Sequence, residues 1–149
     1  MTDASSAQIP VTANFINPEA MHRPTGYTHV VEVTAGRPVY IAGQVALDRS
    51  GAIVGPGDIR TQARQVFDNL QAGLQAVGAG FEQVVKLTYY LVDVTQLPVV
   101  REVRDRYINT QQPPASTAVE VRRLVRDDLL IEVEAIAMIA SFQPMAATA

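Results

Sequence analysis

An α+β domain, with a mostly antiparallel sheet and two helices packed on one of its faces, is predicted from three observations. Segments rich in β-branched and aromatic residues alternate with two stretches whose apolar residues recur at helical spacing. No internal repeat or long linker divides the chain. The last strand is wholly apolar on one side, as a strand facing a helical layer must be.

Taken in order, residues 29–33 and 39–43 read as strands, and the turn with Gly36 and Pro38 between them predicts a hairpin. A short strand over 45–47 precedes a reversal marked by Asp48 and Gly51. Asp58 is expected to cap a helix in which Ile59, Ala63, Val66, Phe67, Leu70, Leu74 and Val77 lie three or four residues apart. Gly78 and Gly80 are its expected left-handed stops. Residues 84–92 read as a long strand, with Val85, Leu87, Tyr89 and Leu91 on one face and Lys86, Thr88, Tyr90 and Val92 on the other. A second helix begins near residues 95–98 and carries Leu97, Val100, Val103 and Tyr107; residues 109–114 end it at a proline pair.

Residues 115–121 and 129–140 are the last strands. In the second, Leu129, Ile131, Val133, Ala135, Ala137 and Ile139 share one face, which must meet the helices. The other face reads Leu130, Glu132, Glu134, Ile136 and Met138, two acids among large apolar groups. Two helices cover one side of the sheet and no third layer remains, so another subunit is the economical cover. An oligomer with its sheets facing inward is expected, with the acids at clefts between subunits.

The length of 149 residues fits one domain, placed at 14–140 between flexible tails at 1–13 and 141–149. A net charge of -3 and a pI near 5.3 give no electrostatic reason to expect nucleic acid or a membrane as partner. The absence of cysteine removes disulfides, thiolate nucleophiles and zinc–thiolate sites. No basic-then-apolar leader and no membrane-length apolar run are visible, so a cytoplasmic protein is expected. His22 and His29 are too isolated in the sequence to suggest a metal site or a triad and read as surface or strand residues.

Several strings, in order, carry a resemblance to a known family: Phe15-Ile16-Asn17-Pro18, Pro24-Thr25-Gly26-Tyr27, Tyr40-Ile41-Ala42-Gly43-Gln44, the run from Gln62 to Leu70, Val119-Glu120-Val121, and the run from Ile131 to Ala137. The chain resembles the Rid (reactive intermediate deaminase, YjgF-like) family over most of its length. That resemblance implies a chorismate-mutase-like fold, a homotrimer with small-molecule clefts between subunits, and hydrolysis of reactive imines and enamines to keto compounds and ammonia. It implies no metal and no organic cofactor.

The resemblance places Glu132 where a catalytic carboxylate orients or activates water, and Tyr27, Ala42, Gly43, Ser116 and Ala118 along the substrate cleft. Ala42 stands where deaminating members commonly carry a serine. Ser116 stands where the archetypal deaminases place an arginine that forms a two-pronged pair with the substrate carboxylate, and a hydroxyl cannot replace it. Arg101 is the candidate for a displaced positive charge; the alternative is a helix-surface pair with Asp105 at i+4. Two functions follow: a Rid-like deaminase, or a small-molecule-binding homologue that has lost or changed the activity. The ribonuclease activity sometimes attached to the family fits poorly with an acidic chain lacking a basic, aromatic-studded groove.

Overall fold

A computed structural model describes residues 8–142. A four-stranded sheet, in the order β4-β7-β5-β6, is formed by β4 (Arg37–Val45), β5 (Val84–Leu91), β6 (Ala115–Glu120) and β7 (Ile131–Ile139). β7 runs antiparallel to both neighbours and β6 parallel to β5. The helices α1 (Ile59–Gln75) and α2 (Leu97–Arg104) pack on one face, which is the α+β arrangement the sequence predicts.

α1 starts where the sequence reading puts it. Asp58 Oδ1 accepts from the N–H groups of Arg60 and Thr61 at 3.0 and 3.2 Å, satisfying donors that the first helical turn leaves open. Ala63, Val66, Phe67, Leu70 and Leu74 are fully buried against Leu87, Tyr89, Ile131, Val133 and Ala135 of the sheet, with the larger side chains contributing about 1.5–3 kcal/mol each. Gly78 has φ +72 and ends the helix as expected, whereas Gly80 is extended at φ -138 and is no left-handed stop. The buried Gln62 binds this helix to the chain entering β7: its amide donates to Gly55 O at 3.2 Å and Asp128 O at 2.9 Å, and Leu130 N–H donates to Oε1 at 2.8 Å.

Further expectations are corrected. The hairpin predicted across Gly36 does not form: β3 (Val30–Ala35) pairs antiparallel with β2 (Thr12–Ile16) instead of with β4. Gly36, at φ +134, turns the chain, and a Cβ there would fall 3.1 Å from Ile139 O. The chain thus passes from Thr28, bridged to Ala115 beside β6, to Gly36 beside the end of β7, crossing the end of the sheet. In β5 the pairing with β7 slips between Val84 and Lys86, so Val84 rather than Val85 joins Leu87, Tyr89 and Leu91 in the core. The predicted second helix ends at Arg104, before Tyr107, although Tyr107 still stacks on Phe67 at 5.2 Å between centroids.

The expected separate strand at 45–47 is the end of β4 followed by a bridge between Leu47 and Ile53. Strand pairing also reaches β1 (Gln8–Ile9) and β8 (Ser141–Phe142), inside the segments expected as tails; residues 1–7 and 143–149 of those tails lie outside the described residues.

Candidate functional site

The face of the sheet opposite the helices carries the two acids. Leu129, Ile131, Val133, Ala135 and Ala137 are buried toward the helices, leaving Glu132, Glu134, Ile136 and Met138 half-buried on the other side. Tyr90, paired with Glu132 across β5, shares that open face, and its hydroxyl donates to Glu134 Oε1 at 3.2 Å. Partial desolvation, and then the Glu134 charge, push the Tyr90 phenol above its usual range, so it stays a donor.

A β-bulge brings backbone up to the first acid. Ile41 faces Ala135 and Gln44 faces Val133, so β4 carries one residue more than β7 over the Ala42–Gly43 stretch. Gly43 lies directly under Glu132: a Cβ at this position would overlap the carboxylate. Only glycine permits so close an approach. Glu132 and Glu134 line a cavity of about 570 Å³ with Tyr90, Val121, Arg123 and Val125, and Glu134 also borders a hollow of about 400 Å³ that contains Ala42, Lys86 and Thr88.

The other predicted site residues lie elsewhere in the chain. Ser116 and Ala118 pair with Leu87 and Tyr89, whose side chains point into the core, and Ala118 packs against it, so both sit on the helix side of the sheet. Arg101 is half-buried on α2. The alternative pair with Asp105 is not formed; Asp105 Oδ1 instead accepts from Arg104 Nε and Nη2 at 2.9 and 2.7 Å.

Tyr27 is beyond the β6 edge, at the opposite side of the sheet from Gly43. Its neighbours are both anchored: Arg104, 4% exposed, donates to Gly26 O at 2.8 Å, and buried Thr28 donates through N and Oγ1 to Pro114 O and Pro113 O at 3.2 and 2.6 Å. Sequence reasoning missed two features here. Arg104 has no local signal, since an arginine in a last helical turn ordinarily faces water. His22 and His29, read as unrelated, converge on Tyr27: His22 Nε2 is 2.9 Å from its hydroxyl, and the His29 ring meets the Tyr27 ring edge-on at 5.2 Å. Among the described residues, no group of three or more His, Cys, Asp or Glu side chains is arranged to hold a metal, and no helix is long and apolar enough to cross a membrane.

Residues 18–139 match a family profile described as Endoribonuclease L-PSP. The chain belongs to the RutC/YjgF/Rid family. Among its Rid relatives is a RutC family protein of Pyrococcus horikoshii, 44% identical over 106 residues that cover 70% of this chain and 82% of the relative. A 2-iminobutanoate/2-iminopropanoate deaminase of Mus musculus is 37% identical over 116 residues, 78% of this chain and 83% of that protein. A Rid protein of unknown function from Yersinia pestis superposes with a TM-score of 0.76 at 35% identity, covering 85% of this chain and 98% of that one. The YjgF gene product of E. coli superposes with a TM-score of 0.61 at 33% identity, covering 69% and 81%. Membership thus agrees with the sequence resemblance, and two helices against a mixed sheet are the shared fold.

Proposed function

We propose that this Rid protein is a deaminase that hydrolyses reactive imines and enamines to keto compounds and ammonia, at clefts between the subunits of a homotrimer. The observation that carries the reading is the Glu132 carboxylate seated over Gly43 at a bulge, on a sheet face that neither helix covers. A carboxylate fixed against bare backbone can take a proton from water while the adjacent peptide lets a small planar substrate approach closely. The similarity to mammalian 2-iminobutanoate/2-iminopropanoate deaminases supports the reaction class.

Tyr27 and Gly43 at opposite edges of one sheet favour an assembly in which one copy supplies the first and its neighbour the second. The open face fits such packing, with Tyr40 76% and Val119 40% exposed on it. A ligand carboxylate would then meet groups other than the arginine that Ser116 replaces. Arg101, on the helix side, serves that role only if a neighbouring copy brings it to the cleft; unchanged affinity in Arg101→Ala excludes it.

Ammonia release from enzymatically generated imino acids tests the reaction. Glu132→Gln should lower the rate by about 10²–10⁴-fold. Equal rates remove Glu132 from the chemistry, and a wild type that binds small carboxylic acids without turnover establishes a binding homologue instead. A mass near 16.1 kDa in solution at micromolar concentration removes the trimer.

A further inference from the structure

The side chains of His22, Tyr27 and His29 form a contact cluster that the assignment of Glu132 leaves unused. His22 Nε2 is 2.9 Å from the Tyr27 hydroxyl. His29 Nε2 lies 2.8 Å from the His22 carbonyl oxygen, which can only accept, so this nitrogen carries the hydrogen. The His29 backbone N–H donates to Asn17 Oδ1 at 2.9 Å, and the two imidazoles pack edge to face with centroids 4.8 Å apart. The fold does not need the His22–Tyr27 bond to place this segment, because Arg104 and Thr28 already fix the residues on either side of Tyr27. His22 and Tyr27 open onto a cavity of about 550 Å³, within the size range of small-ligand sites, whose charged lining groups are Glu19 and Arg23.

We propose that His22 and Tyr27 are one acid–base unit: the Tyr27 phenol hands a proton to the nitrogen leaving the substrate, and His22 restores that proton. His22 is then a positioning and proton-supplying residue that acts through Tyr27, and His29 holds it in place. The proposal rests on the deaminase reading above. In the first step water oxygen bonds to the imine carbon, and one water proton passes through Glu132 to the imine nitrogen. In the second, the carbon–nitrogen bond breaks with its electron pair on nitrogen, which takes the Tyr27 proton and departs as ammonia. The remaining hydroxyl proton goes to Glu132 as the carbonyl forms. Protonated His22 returns a proton to the phenolate from Nε2, and both His22 and Glu132 exchange with solvent, so no oxidant or second substrate is needed. Only the protonated imidazole can make that transfer.

The test is ammonia release as a function of pH for the wild type, His22→Asn, Tyr27→Phe and the double variant. Each single change is expected to lower the rate about 10²-fold or more, and the double to be no slower than the slower single, as for groups acting together. The alkaline limb of the wild-type profile is expected to move to higher pH in His22→Asn, where only the Tyr27 phenol remains to lose its proton, which a merely structural contact would not cause. Multiplying losses in the double variant, or an alkaline limb at the same pH in His22→Asn as in the wild type, overturn the proposal. The His22 imidazole titration, followed by NMR in wild type and Tyr27→Phe, separates the two ideas. An unchanged titration overturns the pairing alone, whereas a wild type without ammonia release overturns the deaminase reading and the proton delivery with it.

Discussion

The Glu132 carboxylate fills the space that a side chain at residue 43 would need, so the identity of Gly43 sets where that carboxylate can rest. Gly43→Ala should displace it and lower ammonia release by more than about tenfold, a loss that misplacing a proton acceptor by an ångström readily causes. Rates and a melting curve measured together check this. Full activity with a stable fold would mean that the carboxylate has another resting place from which it works.

Gln62 makes three hydrogen bonds from a fully buried position, and its substitution should be felt by the whole domain. Gln62→Leu keeps the volume but leaves Asp128 O and Leu130 N–H without a partner and Gly55 O with the Asp58 N–H alone. Urea unfolding should show a loss of about 2–4 kcal/mol. A loss under about 1 kcal/mol would show that the loop ahead of β7 finds other partners.

Tyr89 behaves in the opposite sense. Its hydroxyl is buried with no hydrogen-bond partner among the described residues, and burial pushes the phenol up to about 12 against the opposing charge of Arg104. Tyr89→Phe removes an unsatisfied group while keeping the ring, so it should be neutral or stabilising by up to about 1 kcal/mol in the same unfolding experiment. Clear destabilisation would reveal a partner for the hydroxyl in the assembled protein.

Acid sensitivity should come partly from the helix cap. The Asp58 carboxyl is held below its ordinary value, first by the Thr61 hydroxyl and then by backbone N–H bonds, and Ser50 and Thr95 do the same for Asp48 and Asp93. A carboxyl with a lower pKa folded than unfolded adds stability that is complete above the unfolded value and is lost as pH falls through the folded one. Melting temperature should therefore be level above about pH 5 and drop from about pH 4 downward. Asp58→Ala should lower the melting temperature at neutral pH, while Asp58→Asn, still a capping residue, should lower it less and flatten the acid dependence. An unchanged acid slope in Asp58→Asn would exclude the cap as its source.

What was legible in the sequence was periodic or capped. α1 and the two faces of β7 could be read because Asp58 marks a start, spacing marks a face and the acids at 132 and 134 alternate with aliphatics. The β5 bulge was illegible, since a slip of one residue leaves no trace in a run as uniformly apolar as Val84-Val85. The misassigned hairpin has a related cause: Gly36 announces a turn without saying which strand waits beyond it. β2 escaped notice because its burial alternates over only five residues, behind a segment read as tail. At the site, Glu132 and Gly43 were found through resemblance. The cluster around Tyr27 was not, because two histidines seven residues apart join only after the chain has folded back.

β7 lies between β4 and β5 and is bonded to both, yet it is made from residues 131–139 of the chain. Strands synthesised earlier therefore remain without their central member until residues 131–139 have emerged. Formation of the sheet during translation should await that late segment, leaving α1 with its greasy stripe uncovered in the meantime. Shortening the polypeptide before residue 139 would then yield not a smaller domain but an unfolded, chaperone-dependent chain.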